Sequence, residues 1–313
     1  MRVFDAAATE ALLPYGRLAD EIGVVLGEFT AGRLRMAERT VLPLERGTLL
    51  CMPASDDKLT ITKVVTVHPG NAAVGKPTIS AEMIVADAAT GERIALLEGA
   101  AVTRRRTAAL SLLALKRLLG QRAVEGPVLV FGAGDQARGH CEALSSDPRT
   151  AGTEFVIAAR SATRAEGLVA DLRSLGVNAR MTDHPESVLP SAAVVVTATT
   201  SLTPVLASKP RDGAVVCAVG AFRHDMAEVA PDVVAGAELV IVDTLHGARA
   251  EAGDLIQAAA AGVWNWEGAV PLVDLLAANP ARAADQQGGY SIFKSVGHAM
   301  YDLAAARVAF GTR

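Results

Sequence analysis

Aromatic residues are scarce in this chain, at 4% of its residues, although half of the residues are hydrophobic. The core must therefore consist mostly of Ala, Val and Leu. Cysteine is scarcer still, and Cys51, Cys141 and Cys217 form no C-x-x-C pair. This usage predicts neither a disulfide framework nor a structural zinc site, and it favours a reducing, cytoplasmic compartment.

Positive charge is not in excess, and long apolar runs are missing. The formal net charge of −4 and the pI near 5.9 argue against nucleic-acid binding, which leaves a basic footprint. No stretch has the length of a membrane span, and Asp5 and Glu10 precede any long apolar segment, so neither membrane insertion nor a secretory signal is expected. No metal site is predicted, because the histidines lack ligand spacing: His68, His140, His184 and His298.

The length of 313 residues favours two domains. Residues 39–103 alternate apolar and polar side chains between turn signals, which indicates an antiparallel sheet. Its predicted strands are Arg39–Leu44, Thr48–Ala54, Leu59–Val67, Thr78–Asp87 and Ile94–Thr103. Helices are predicted over residues 1–30, 104–119 and 290–310.

We therefore predict a discontinuous first domain, residues 1–118 plus 289–313, of α+β architecture. It would bind the substrate and form a homodimer, because an antiparallel sheet with polar edges is a common place for contact between copies. Residues 119–288 would form the second domain.

The most informative segment of the second domain is Val128–Ala137. A short apolar strand runs into the turn Gly132-Ala133-Gly134 and then into a helix that begins near Gln136 and Ala137. Glycines allow the tight turn and the close approach of a pyrophosphate, and the helix start offers free N–H groups to it. The segment predicts a dinucleotide site.

Strands and helices alternate through the rest of this domain. Apolar runs predict strands at Glu154–Ala158, Ala192–Thr197, Ala214–Val219 and Leu239–Val242, and residues 163–175 have helical spacing that ends at Gly176. The predicted fold class is α/β: a doubly wound Rossmann dinucleotide-binding domain beside the α+β domain with its antiparallel sheet.

The residues after the second predicted strand bear on the choice of dinucleotide. NAD sites usually carry an acidic residue there, whereas this chain has Arg160 and Ser161, followed by Thr163 and Arg164. Cations are disfavoured at a helix N-terminus, and guanidinium groups pair well with a phosphate. NADP(H) is therefore favoured over NAD(H), although two solvated arginines are the alternative interpretation.

Lys63 is the most unusual residue of the first domain. Strand alternation puts its ammonium group on the same face as Leu59, Ile61 and Val65, where an unpaired charge is costly. A lysine that faces a substrate is the preferred interpretation, and a strand-edge lysine that reaches water is the alternative. With Arg46 and Arg106, Lys63 would bind a carboxylate.

Several motifs follow one another in the order typical of a known family. They are Leu50-Cys51-Met52-Pro53, Lys63-Val64-Val65 with Pro69-Gly70-Asn71, Thr103-Arg104-Arg105-Arg106-Thr107-Ala108-Ala109, Gly132-Ala133-Gly134-Asp135-Gln136-Ala137 and Phe293-Lys294-Ser295-Val296-Gly297. The chain resembles the ornithine cyclodeaminase/mu-crystallin family over essentially its full length.

The resemblance implies roles for particular residues. Arg46, Lys63 and Arg106 would hold the substrate carboxylate, and Lys63 would also lie near the reacting nitrogen. Further contacts with the nicotinamide cofactor are implied at Thr107, Thr197-Ala198-Thr199, Val219-Gly220, Ser295 and Gly297.

One departure from the family pattern concerns the reaction. Cyclodeaminases of the family place a catalytic aspartate shortly after the strand that ends here at Gly220, and the matching position holds Phe222. A phenyl ring cannot transfer a proton, and Asp225 is expected to cap the segment that follows.

The sequence therefore favours an NADPH-dependent reductase of cyclic ketimine acids. Substrates such as Δ1-pyrroline-2-carboxylate or Δ1-piperideine-2-carboxylate would give proline or pipecolate. Three alternatives stay open: an ornithine cyclodeaminase, an alanine dehydrogenase-like enzyme, and a non-catalytic NADPH-dependent binder of a small ligand.

Overall fold

The computed structural model describes residues 1–278 and 288–311. It divides into two compact units, Met1–Leu110 with His298–Arg313, and Ser111–Gly297. These boundaries differ from the predicted ones, 118/119 and 288/289. The predicted spans also include residues 279–287 and 312–313, which lie outside the described residues.

The first unit is built on a seven-stranded sheet. The order is β1-β7-β6-β5-β4-β2, with β3 paired to β4, and every pair is antiparallel except β1 with β7. The strands are β1 Arg2–Phe4, β2 Arg35–Met36, β3 Thr40–Leu44, β4 Gly47–Ser55, β5 Leu59–Val67, β6 Ile79–Asp87 and β7 Arg93–Glu98.

The helices of this unit correct two predictions. Residues 1–30 are not one helix but strand β1, helix α1 (Ala6–Ala11) and helix α2 (Tyr15–Thr30), because Pro14 cannot continue a helix and stands at the start of α2. The last predicted strand is too long at its C-terminal end, because helix α3 (Gly99–Leu119) begins directly after β7. The Glu98 carboxylate accepts the N–H groups of Ala100 and Ala101 and caps α3.

One face of this sheet is buried. Along β5, Leu59, Ile61, Lys63 and Val65 are buried and alternate with half-exposed residues, as predicted. The C-terminal helix (Ala299–Phe310) packs against β4, β5 and α2.

The second unit is a parallel sheet of eight strands, in the order β10-β9-β8-β11-β12-β15-β13-β14. The strands are β8 Val128–Phe131, β9 Phe155–Ala158, β10 Ala179–Met181, β11 Val194–Thr197, β12 Val215–Ala218, β13 Leu239–Val242, β14 Ala269–Pro271 and β15 Ser291–Lys294. The helices are α4 Asp135–Ser145, α5 Ala162–Ser174, α6 Pro185–Val188, α7 Pro231–Ala235, α8 Leu245–Glu251, α9 Gly253–Ala260 and α10 Leu272–Ala277. The predicted α/β Rossmann architecture is confirmed.

Strand β15 corrects the prediction of a helix over Tyr290–Phe310. Ser291–Lys294 pairs in parallel with both β12 and β13, and the helix begins only at Ala299. All four residues of β15 are buried, so they show no alternation that distinguishes a strand from a helix. This strand also explains why the second unit extends to Gly297.

Two observations on the described residues concern membrane spans and metal sites. None of the helices in residues 1–278 and 288–311 is long and apolar enough to cross a membrane. Within the same ranges, no cluster of three or more His, Cys, Asp or Glu side chains could hold a metal ion.

Candidate active site

Lys63 lies in the middle of β5 and is 1% exposed. Its neighbours across the sheet are Met52 and Met83, which are also buried. The Lys63 Nζ donates to Asp302 Oδ1 at 2.8 Å and to Thr103 Oγ1 at 3.2 Å. Its position on the buried face agrees with the strand alternation, and the burial excludes a lysine that reaches water at a strand edge.

Arg106 and Asp302 complete a buried charge cluster around Lys63. Arg106 is 6% exposed, and its Nε lies 3.5 Å from Asp302 Oδ1. Thr103 and Arg106 are three residues apart on α3 and therefore share one face of that helix. Asp302 is fully buried in the first turn of the C-terminal helix.

Arg46 does not join this cluster. It lies in the turn between β3 and β4, where its side chain is 88% exposed and its Nε is 4.0 Å from Glu45. Met52, the partner of Lys63, lies four residues along β4 from Thr48, which is beside this turn, and this corresponds to about 13 Å along the strand. The structure therefore does not bring Arg46 to Lys63.

Arg39, rather than Arg46, lies near Lys63 in the sheet. It lies one residue before β3, and the register that pairs Thr40 with Cys51 puts Arg39 beside Met52. Met52 pairs with Lys63 on its other side. Directly opposite residues in a sheet share a face, so Arg39 lies on the face of Lys63.

The surroundings of Lys63 lower its pKa from the usual value to about 8. Burial has the largest effect and lowers the pKa, the Asp302 carboxylate raises it, and the charges of Arg106 and Arg39 lower it further. Lys63 is thus an ammonium at neutral pH that gives up its proton more readily than an ordinary lysine. This is what an acid catalyst requires.

Sequence reasoning missed Asp302 and Arg39. A signal for Asp302 was available, because it is a lone carboxylate in a helix whose other residues are nearly all apolar, as Lys63 is a lone cation on an apolar strand face. Arg39 shows no such signal, because its neighbourhood depends on the register between β3 and β4.

In the second unit, the glycine turn has the geometry predicted for a dinucleotide site. Gly132 has a φ of +118°, and a Cβ at this position would collide with the carbonyl oxygen of Ala198. Gly134 is the first residue before α4 and is exposed, and the N–H groups of the first turn, which include Gln136 and Ala137, have no intrahelical acceptors. The residues present fit a pyrophosphate here.

The end of β9 presents the predicted basic residues to solvent. Arg160, Thr163 and Arg164 are exposed at the N-terminal end of α5. The Ser161 hydroxyl accepts the N–H of Arg164 and caps the helix. Two guanidinium groups at a positive helix end suit an anion.

The strand-end residues that the resemblance assigned to the cofactor converge on one buried carboxylate, Glu228. Its Oε1 accepts from the Thr199 N–H at 2.5 Å and from the Thr199 hydroxyl at 2.8 Å. Its Oε2 accepts from the Thr197 hydroxyl at 2.9 Å and from the Gly220 N–H at 2.7 Å. The polar groups of Thr197 therefore serve the interior, whereas Ala198 and Thr199 are half-exposed.

Glu228 belongs to a buried network. Asp254 Oδ1 accepts the N–H groups of Glu228 and Val229, and Lys294 Nζ lies 2.6 Å from Asp254 Oδ2. Burial raises the pKa of Glu228, the Lys294 charge lowers it and the Asp254 charge raises it. The sequence did not predict this network, because its members come from distant segments.

Asp243 binds Ser295 and Gly297, the last residues predicted to contact the cofactor. Its Oδ2 accepts from the Ser295 hydroxyl at 3.0 Å and from the N–H of Gly297 at 2.8 Å. Ser295 is 2% exposed, and Gly297 has a φ of +83°. Two other predicted contacts, Val219 and Thr107, are also buried, at 8% and 6% exposure.

Position 222 offers no proton donor. Phe222 is half-exposed, and the nearby Asp225 carboxylate is exposed and paired with Arg223 at 2.9 Å. This hydrogen bond lowers the pKa of Asp225, which stays an ion. The predicted capping role of Asp225 is replaced by this pair.

Comparisons with known proteins identify relatives of this chain. The chain is 42% identical over 311 residues to a Delta(1)-pyrroline-2-carboxylate reductase from Burkholderia multivorans, covering 98% of this chain and 94% of the relative. It is 40% identical to a Delta(1)-pyrroline-2-carboxylate/Delta(1)-piperideine-2-carboxylate reductase from Azospirillum brasilense, again covering 98% and 94%.

A solved structure has the same fold. Delta(1)-pyrroline-2-carboxylate reductase from Thermococcus litoralis, in complex with NADH and L-proline, superposes with a TM-score of 0.87 at 23% identity, over 99% of this chain and 97% of that chain. The model of one family matches residues 2–311. The chain belongs to the ornithine cyclodeaminase/mu-crystallin family.

Proposed function

We propose that this protein is an NAD(P)H-dependent reductase of cyclic ketimine acids, with Δ1-pyrroline-2-carboxylate and Δ1-piperideine-2-carboxylate as substrates and proline and pipecolate as products. The observation that carries this proposal is the buried cluster of Lys63, Arg106 and Asp302. The named activities of relatives that are 40–42% identical over 98% of the chain support it.

The substrate carboxylate binds to the arginines of the first unit. Arg106 is buried and held by Asp302, and Arg39 lies on the same sheet face as Lys63. Their two guanidinium groups, together with the Lys63 ammonium, outnumber the single negative charge of Asp302. An anionic substrate balances this surplus and pairs bidentately with a guanidinium group.

Lys63 supplies the proton. Below its pKa of about 8 it is an ammonium, and it donates to the ring nitrogen of the imine. An iminium accepts hydride far better than a neutral imine does. A reduced nicotinamide dinucleotide would supply the hydride, and Gly132–Gly134 with the first turn of α4 would hold its pyrophosphate.

The reductase reaction is favoured over cyclodeamination by the residues around position 222. A cyclodeaminase needs an acid–base group to release ammonia from ornithine, and Phe222 has none. Asp225 is engaged by Arg223 in solvent. Imine reduction needs no such group, since the substrate arrives with its C=N bond formed.

The cofactor proposed is NADP(H), with NAD(H) as the weaker alternative. Arg160 and Arg164 are exposed beside the capping hydroxyl of Ser161 and near Thr163, where the 2′-phosphate of a bound dinucleotide would pair with them. An unphosphorylated ribose would gain little from two guanidinium groups.

The proposed assembly is a homodimer through β3. Among residues 1–278 and 288–311 this strand pairs only with β4, and all five of its residues are exposed. Val41, Leu42 and Leu44 are 55%, 52% and 38% exposed. Apolar edge strands of this kind are commonly covered by another chain.

A side-by-side assay of the purified protein tests the function. NADPH and NADH oxidation are followed with each cyclic imino acid, with pyruvate plus ammonia, and with no acceptor, and ammonia release is followed with ornithine. We expect oxidation with the cyclic imino acids, faster with NADPH. Lys63→Ala should lose this reduction and still bind the cofactor.

Each alternative has its own signature in the assay. Ammonia release from ornithine without net cofactor consumption would identify a cyclodeaminase. Ammonia-dependent reduction of pyruvate would identify an alanine dehydrogenase-like enzyme, and cofactor binding without turnover would identify a binder. Any of these results, in the absence of imine reduction, overturns the proposal.

A further inference from the structure

We propose that Asp302 is a positioning residue that holds Lys63 as an ammonium and aims one of its N–H groups at the substrate nitrogen. This inference rests on the proposed imine reduction and names a residue that the reaction requires but that does not itself contact the substrate.

Contacts with Asp302 and Thr103 direct two N–H groups of the Lys63 ammonium. Nζ lies 2.8 Å from each carboxylate oxygen of Asp302, and it also donates to Thr103 Oγ1. The Thr103 hydroxyl donates its own proton to the carbonyl of Gly99 at 2.8 Å, so towards Lys63 it can only accept. Two of the three N–H groups are thereby directed, and the third is left for the imine nitrogen.

The C-terminal helix and its anchor Arg307 hold Asp302 in place. It lies in the first turn of the C-terminal helix, where the helix dipole favours a carboxylate. Arg307 anchors the same helix, because its guanidinium binds Asp56 at 2.6 Å, Glu28 at 2.6 Å and Glu21 at 3.3 Å. A carboxylate fixed in this way stays at hydrogen-bond distance from the Lys63 ammonium.

One negative and two positive side chains act on the Lys63 ammonium. Asp302 on the C-terminal helix is the negative group that acts on it, and Arg106 on α3 and Arg39 before β3 are the positive ones. The neighbouring strands β4 and β6 contribute the uncharged Met52 and Met83. Without Asp302, burial and both guanidinium groups would all favour the neutral amine.

The proposed step balances. The imine nitrogen takes a proton from the Lys63 ammonium, and the C=N π bond breaks as the ring carbon takes a hydride. A reduced nicotinamide dinucleotide, when bound, would be the two-electron reductant that supplies this hydride. The product is a secondary amine. Lys63 is left as a neutral amine that still donates to Asp302 and regains its proton from water.

The pH dependence of kcat/KM tests the role of Asp302. Lys63 acts in its protonated form, so wild-type activity should fall as the pH rises through about 8. In Asp302→Asn the alkaline limb should move down by about one unit or more, since an opposite charge at this distance shifts a pKa by roughly 1–3 units. At pH 8 the ratio of wild-type to variant activity should be at least about five times the ratio at pH 6, as a one-unit shift from a pKa of about 8 requires.

Two further variants separate positioning from a structural role. Asp302→Glu keeps the charge and should keep the alkaline limb within about half a unit of the wild type, with a lower kcat. Asp254→Asn removes a matched buried carboxylate, paired with Lys294 in the second unit, and should leave the limb in place whatever it does to stability. A limb unmoved in Asp302→Asn, or moved by a full unit in Asp302→Glu, would overturn the inference.

A measurement without substrate distinguishes failure of the inference from failure of the proposed function. In ¹H–¹⁵N spectra of lysine ammonium groups, the signal lost in Lys63→Met identifies Lys63. It should persist at pH 7 in the wild type and weaken by about half or more at that pH in Asp302→Asn, since the pKa falls from about 8 by about one unit or more. A signal that persists equally in both proteins contradicts the inference, even if imine reduction is observed.

Discussion

Arg39 and Arg46 stand at opposite ends of strand β3, and their charges meet different surroundings. The Arg46 side chain is 88% exposed, so water screens its charge. Arg39 is half-buried on the face of Lys63, and its charge lowers the pKa of that lysine. An arginine in the second setting interacts with an anion far more strongly than one in the first.

Alanine substitution of each arginine separates these roles. Arg39→Ala should raise the KM for the imino acid by about 10- to 100-fold, because a hydrogen bond to a charged group contributes roughly 1.5–3 kcal/mol. Arg46→Ala is the matched control and should change KM by less than about twofold. Steady-state kinetics at saturating NADPH measure both. Equal effects, or a larger effect at Arg46, would restore the assignment made from the sequence.

Arg160 is the residue on which the proposed preference for NADPH over NADH can be tested. Arg160→Asp should weaken NADPH binding by about 100-fold, because it replaces an attraction for the 2′-phosphate by a repulsion of similar size. NADH, which lacks that phosphate, serves as the internal control and should bind as well as before or better. The ratio of kcat/KM for the two cofactors gives the result, and an unchanged ratio would exclude a 2′-phosphate site at Arg160.

At the scale of elements, periodicity predicted the strands that have one buried face. Leu59–Val67 was predicted from its alternation and Leu239–Val242 from its continuous apolar run, both with the observed bounds. The helix predicted over residues 163–175 is observed as Ala162–Ser174, and Gly176 after it has a φ of +79°. Strand β15 was missed for a physical reason. Its four residues are all buried and show no alternation, and Ser291 and Lys294 at its ends leave no continuous apolar run of the kind that predicted Leu239–Val242. Its place between β12 and β13 depends on pairing with segments far away in the chain.

Of the candidate site, the sequence predicted the buried lysine but not the carboxylate that it binds. Lys63 was found because a charge on an apolar strand face is a local contradiction, visible within nine residues. Its partner Asp302 is separated from it by 239 residues, and only the packing of the C-terminal helix on β5 brings the two together. Sequence reasoning identifies a charge that needs a partner but not the partner.

In the strand-end loops of the second unit, too, the sequence did not predict a distant partner. Thr197, Thr199 and Gly220 were assigned directly to the cofactor, yet Glu228 accepts hydrogen bonds from all three. One buried carboxylate thus fixes the backbone after both β11 and β12. We infer that these residues shape the cofactor site mainly through the loops they hold, with the half-exposed Ala198 and Thr199 at its surface.

At the scale of the whole molecule, each unit contains a fully buried lysine–aspartate pair. Lys63 pairs with Asp302 in the first unit, and Lys294 pairs with Asp254 in the second. Because buried ion pairs contribute little net stability, their presence favours a role in positioning over a role in folding. The dimer and the cytoplasmic location, by contrast, stay predictions.

The dimer can be tested at the exposed strand β3. The wild-type protein should have twice the chain mass of 32.3 kDa in solution. Leu42→Lys should dissociate it, because a two-fold interface carries each substitution twice and a buried leucine contributes about 1.5–3 kcal/mol. The dissociation constant should therefore rise by about 100-fold or more.

Light scattering coupled to gel filtration measures the mass, and Leu175→Lys is the control. Leu175 is 62% exposed at the end of α5 in the second unit, so it matches Leu42 in residue type and exposure but lies on a different surface. We expect Leu175→Lys to stay a dimer. If the wild type is a monomer, or if Leu42→Lys keeps the mass of two chains at micromolar concentration while it remains folded, β3 is not the interface and its apolar side chains need another partner.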